Sequence, residues 1–157
     1  MANAVRKLKG EPVEEIPRVN IDLGFAAYIP RDYIPIDRRR LDVYRKIAVA
    51  RGEEDLRQIS GELTDVYGPI PQEVQWLCDM ALVRIRAARR QVKSIVASGR
   101  DLIFSFSDDA QPQGGLFASV KGRLRMPRPD KAYLTLNESY FEPATLLGVL
   151  RKVFRED

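Results

Sequence analysis

The sequence predicts an α+β domain: an N-terminal extended strap, a three-helix layer, a small antiparallel sheet of hairpins and a C-terminal helix. Three observations carry this expectation. Apolar residues recur at helical spacing from Leu41 to Val92, gather in short β-branched and aromatic runs from Ile95 to Leu136, and return to helical spacing after Pro143. Runs of helices followed by runs of strands mean an antiparallel sheet segregated from the helices.

Taken in order, residues 1–18 read as a lead-in: a short helix tail stopped by Gly10 and Pro12, then a charged connector with too few apolar groups to fold alone. Residues 19–157 are expected to form a single domain. Val19-Asn20-Ile21-Asp22-Leu23 alternates apolar and polar with period two, which predicts an extended segment. The run Ala27–Pro35 repeats a Tyr-Ile-Pro unit. Each proline lacks an amide donor and pushes its predecessor to extended geometry, so a rigid strap is expected, with Tyr28 and Tyr33 lying on the helices.

The first helix is expected to start after Asp37 as N-cap and to bury Leu41, Tyr44, Ile47 and Ala48. The second, after Gly52, carries the stripe Leu56, Ile59, Leu63, Val66 and Tyr67, and ends at Gly68-Pro69. Pro71 opens the third, whose stripe runs Val74, Leu77, Cys78, Ala81, Leu82, Ile85, Ala88 and Val92. Ser98-Gly99-Arg100 then separates two strand-like runs as a hairpin, and residues 127–130 separate a second pair. Asp108–Gly115 is a polar, Gly-rich loop, and Leu116–Lys121 fits a short helix and a strand equally well. A closing helix from Pro143 buries Leu146, Leu147, Leu150, Val153 and Phe154.

Composition excludes whole chemistries. The 157 residues include no histidine and one cysteine, which removes Ser-His-Asp and Cys-His nucleophile systems and structural zinc sites. There is no phosphate-binding G-x-x-x-x-G-K-[ST] loop, and no carboxylates, lysines or tyrosines converge in a catalytic spacing. No apolar run of about 18 residues exists to span a membrane. No basic segment leads into an apolar secretory one. A lone Cys78 suits a reducing compartment, so a cytoplasmic location and no membrane partner are expected.

The net charge of +4 is unevenly spread. Residues 80–100 hold six cations and no acid, whereas 53–73 hold six acids against the single Arg57. On the second helix, Gln58, Glu62 and Asp65 fall at i, i+4 and i+7, opposite the apolar stripe. An anonymous helix carries such residues as a solvated face. Fixed on a rigid helix, they also suit arginines of a partner, since carboxylates accept charge-assisted bonds from guanidinium groups. On the third helix Arg86, Arg90 and Lys93 are expected on one stripe, with Arg89 beside it, as phosphate contacts or as partners for the acidic helix. No aromatics interleave with them to stack single strands. Cys78 reads as a small core residue, Trp76 as a core-edge residue, and Asp108-Asp109 as a weak metal signal.

Two long motifs resemble a family. A-Y-I-P-x-D-Y-I-P-x-x-x-x-R-L-x-x-Y-R-x-I-A runs from Ala27 to Ala48, and E-L-x-D-x-[FY]-G-P-x-P-x-x-V-x-x-L from Glu62 to Leu77. Both are similar to the C-terminal domain of bacterial transcription-repair coupling factors, from about Val19 onward and more weakly after Gly99. Leu8-Lys9-Gly10-Glu11 resembles the last turn of the family's motor segment, so a piece of a longer protein is expected. The resemblance implies regulation rather than catalysis. In the family, ATP and Mg belong to upstream motor domains, and the parent acts on duplex DNA with RNA polymerase and UvrA. The C-terminal domain folds back on a UvrB-like module of the same chain and masks its UvrA-binding surface. Carried over by position, the masking contact falls on Glu62 and Asp65. The arginine usual after that aspartate is Val66 here, which removes one charged contact; Gln58 or Glu54 is expected to extend the face instead. The alternative reading is a duplex DNA-binding module using Arg86, Arg90 and Lys93.

Overall fold

In the computed structural model, which describes residues 18–107 and 114–155, the chain opens with a three-residue strand, β1 (Asn20–Asp22). Helices α1 (Asp37–Ala48), α2 (Glu53–Tyr67) and α3 (Gln72–Arg89) follow. Strands β2 (Val92–Ser98), β3 (Asp101–Phe106), β4 (Arg123–Arg128) and β5 (Lys131–Thr135) come next, and α4 (Pro143–Val153) closes the fold. The expected lead-in lies almost entirely outside the described residues, as does most of the 108–115 loop. Leu116 falls in a short 3-10 turn, Gly114–Phe117, which answers the open choice there.

Both expected hairpins form. Gly99, at φ +61, supplies the left-handed residue that turns β2 back onto β3. The sheet order is β1-β2-β3-β5-β4, so the hairpins join through β3 and β5, with Leu102 opposite Leu134 and Phe104 opposite Ala132. The expectation of a wholly antiparallel sheet is corrected: β1 pairs parallel to β2, Ile21 beside Ile95, and the sheet is mixed. The extended start of the strap has backbone groups to satisfy, and the edge of β2 satisfies them. Pro127 lies on the outermost strand, β4, where a missing amide breaks no inner ladder.

After β1 the strap crosses the helical layer. It is extended only to Pro30, whose carbonyl then accepts from the amides of Tyr33 and Ile34, both at 3.1 Å. Ile29 and Ile34 are buried. The Ile29 amide donates to Tyr44 Oη at 2.7 Å, and Tyr33 Oη donates toward the carbonyls of Gly68 (2.9 Å) and Leu63 (3.2 Å). Tyr28, expected to lie on the helices as Tyr33 does, is exposed instead.

Helix α1 departs from its expected stripe. Val43 and Ile47 are buried with Tyr44 packed beside them, whereas Leu41 and Ala48 face solvent. Asp37 is the first helical residue rather than the cap. There it pairs with Arg40, which also donates to the Ile34 carbonyl at 2.7 Å. Helix α2 buries Leu56, Ile59 and Leu63 as expected, but Val66 stands out in solvent.

Helix α3 is the wall between two cores. Val74, Cys78, Ala81 and Leu82 face the strap, α1 and α2, whereas Val83 and Ala87 join the core of the sheet and α4. That accounts for its nearly continuous apolar pattern. The helix also stops earlier than its pattern suggests: Gln91 adopts φ +62 and Val92 begins β2. On the sheet side, Phe104 meets Phe117 and Phe154 at ring distances of 4.9 and 6.1 Å. Trp76 lies at the edge of this core against Phe25, 5.4 Å between ring centres.

Candidate docking face

Burial of Leu56, Ile59 and Leu63 orients α2, and the opposite side of the helix then points to solvent by geometry alone. Gln58 and Asp65 lie there, Glu62 and Val66 stand on the flank toward the preceding helix, and all four are exposed, Val66 at 66%. The structure therefore brings the four expected docking residues onto exposed positions of one helix. Beside them runs α1, whose Asp42 and Lys46, with Val49 just past its end, share the groove between the two helices. Lys46 Nζ stands 3.6 Å from Glu62 Oε2, with both side chains more than half exposed. This ion pair separates two shallow cavities. One, of about 230 Å³, is lined in part by Val49, Asp55, Gln58 and Ile59. The other, of about 280 Å³, is lined in part by Asp42, Val43, Leu63, Val66 and Tyr67. Lys46 and Glu62 line both. The groove can receive a side chain with an apolar stem and a charged head, as arginine has.

Sequence reasoning missed the α1 side of this groove. Arg39, Asp42 and Lys46 stand at i, i+3 and i+7, a spacing that marks one helical face but not the helix it meets.

The basic residues are not brought onto one stripe. Arg86 is mostly buried, its side chain 13% exposed, and its Nη2 lies 3.2 Å from Glu53 Oε2 at the start of α2. Its Nε is buried without a hydrogen-bond partner among the described residues. Arg90 is the capping residue just after α3, and Lys93 is on β2. Arg89 donates to the Arg51 carbonyl at 2.9 Å. Arg86 thus serves as a partner of the acidic helix. The helix ends before Lys93 can continue its face.

Cys78 is buried, 3.9 Å from Ser60 Oγ, and burial pushes its thiol up, away from the reactive thiolate. Among the described residues no three carboxylates or cysteines gather as metal ligands. No described helix is long and apolar enough to cross a membrane.

Residues 23–115, more than half of the chain, match the TRCF domain family. Over 126 residues the chain is 35% identical to the transcription-repair-coupling factor of Mycobacterium tuberculosis, a match covering 74% of this chain and 10% of that protein. Over 115 residues it is 31% identical to the transcription-repair-coupling factor of Staphylococcus haemolyticus, covering 72% and 10%. The chain spans about a tenth of the length of these relatives. Its fold matches the crystal structure of a C-terminal domain of transcription-repair coupling factor, with a TM-score of 0.73 at 18% identity, covering 87% of this chain and 91% of that one.

Proposed function

From the premise that this chain belongs to the TRCF domain family, we propose that it is a non-catalytic, autoinhibitory domain of a bacterial transcription-repair coupling factor. In this reading the parent is a cytoplasmic, ATP-dependent DNA translocase. It releases RNA polymerase stalled at damage and recruits excision repair through UvrA. The domain docks on the UvrB-like module of the same chain and covers the surface UvrA needs. The observation that carries the reading is the exposed α2 face, where Gln58, Glu62, Asp65 and Val66 stand together on a rigid helix.

The physics suits a lock. Two modules joined by a short linker meet at an effective concentration near millimolar, so a weak contact suffices. A lock that must open favours a small, charged contact over a large apolar one, because its partner need supply only a modest differential affinity. The duplex DNA reading has less support, since Arg86 is engaged by Glu53 and Lys93 lies on a strand.

The test is charge reversal in the full-length parent. Glu62→Arg with Asp65→Arg is expected to raise both UvrA binding and basal ATPase. A parent that keeps wild-type values in both assays would refute the docking role.

A further inference from the structure

The carboxylate that docking would use is already engaged by the domain's own helix. Lys46 reaches across from α1 to within 3.6 Å of Glu62, and Glu62 is its one ion-pair partner among the described residues. An arginine entering between the two cavities to reach Glu62 meets Lys46 on its path, because both residues line both cavities. Resting on the docking reading above, we infer that Lys46 is an internal competitor: it mimics the incoming arginine, neutralises Glu62 while the lock is open, and limits how tightly the lock closes.

The arginine of the docking reading fits the same groove. Val66, 66% exposed, and Val49, 63% exposed, flank the ion pair and offer apolar seats rather than charge. In that reading the occupant is an arginine of the UvrB-like module, its stem lying on Val66 and its head taking Glu62 from Lys46. Asp65, on the same exposed face, is placed to share that head. Closing the lock thus exchanges one ion pair for another and brings two cations together. Both effects hold the affinity down.

Calorimetric titration of this chain with the separately purified UvrB-like module tests the competitor. Lys46→Gln removes the competing charge at an exposed position, and far-UV circular dichroism checks that it folds. It is expected to bind about two- to fivefold tighter than wild type at low salt, the worth of one exposed pair. Its affinity should also fall more steeply with salt, converging on wild type near 1 M, where the screening length is about 3 Å. Lys46→Arg, which keeps the charge, should bind as wild type does. A merely structural lysine would produce no change in salt slope. If Lys46→Gln binds equally or more weakly while Glu62→Arg/Asp65→Arg abolishes binding, the competitor is overturned and the docking reading stands. If the wild type does not bind, or the charge reversal leaves binding intact, both are overturned.

Discussion

Asp79 shows how one residue sets a pH dependence in this fold. It lies on α3, facing the groove closed by α4, and burial raises its carboxyl above the ordinary value. A hydrogen bond from Gln75 Nε2 at 3.0 Å and the charge of Arg151 oppose that rise without cancelling it. The folded state therefore holds the Asp79 proton more tightly than the unfolded chain does. Its ionisation costs stability as pH rises through the window between the two values. Asp79→Asn removes the charge and keeps an acceptor for Gln75. It is expected to be more stable than wild type at neutral pH, with the difference closing below pH about 4, where both states carry a protonated carboxyl. Urea midpoints across that range measure it; a constant difference at all pH values would refute the burial argument.

At the scale of elements, α1 is the informative helix. Its polar residues outnumber its apolar ones, and two stripes compete for the buried side: Leu41/Tyr44/Ala48 and Val43/Ile47. Packing against α2 and the strap selects the second, because Ile34 and Leu63 complete that core. Ile47→Ala should therefore lower stability by about 2–5 kcal/mol, the cost of a cavity in a filled core. Leu41→Ala, at an exposed position, should stay within about 0.5 kcal/mol. The pair of denaturation curves decides the orientation of α1, and equal losses would refute it. The same orientation turns Asp42 and Lys46 toward α2 and so forms the groove of the candidate docking face.

At the scale of the molecule, two cores share α3 and, among the described residues, no other helix. A helix buried on both sides couples the layers, since neither core can open without exposing part of it. Thermal or denaturant unfolding is expected to be a single transition. The fluorescence of the single tryptophan, Trp76 at the edge of the sheet core, should change together with the far-UV signal that reports mainly on the helices. Separated transitions would mean that the helical layer opens alone.

Much of this was legible from residue order. The four helices, both hairpins, the exposed positions of Gln58, Glu62 and Asp65, and the family motifs are local signals. A period, a glycine or a proline acts over a few residues and needs no distant partner. What tertiary structure decided is pairing between distant segments. The parallel join of β1 to β2, the double burial of α3, the removal of Arg86 from any basic surface by Glu53, and the placement of Lys46 against Glu62 all depend on which faces meet. Val66 shows the boundary most plainly. Its spacing fits the buried stripe as well as Tyr67 does, but a helix buries only the arc its neighbours cover, and that arc closes at Tyr67, leaving Val66 in solvent.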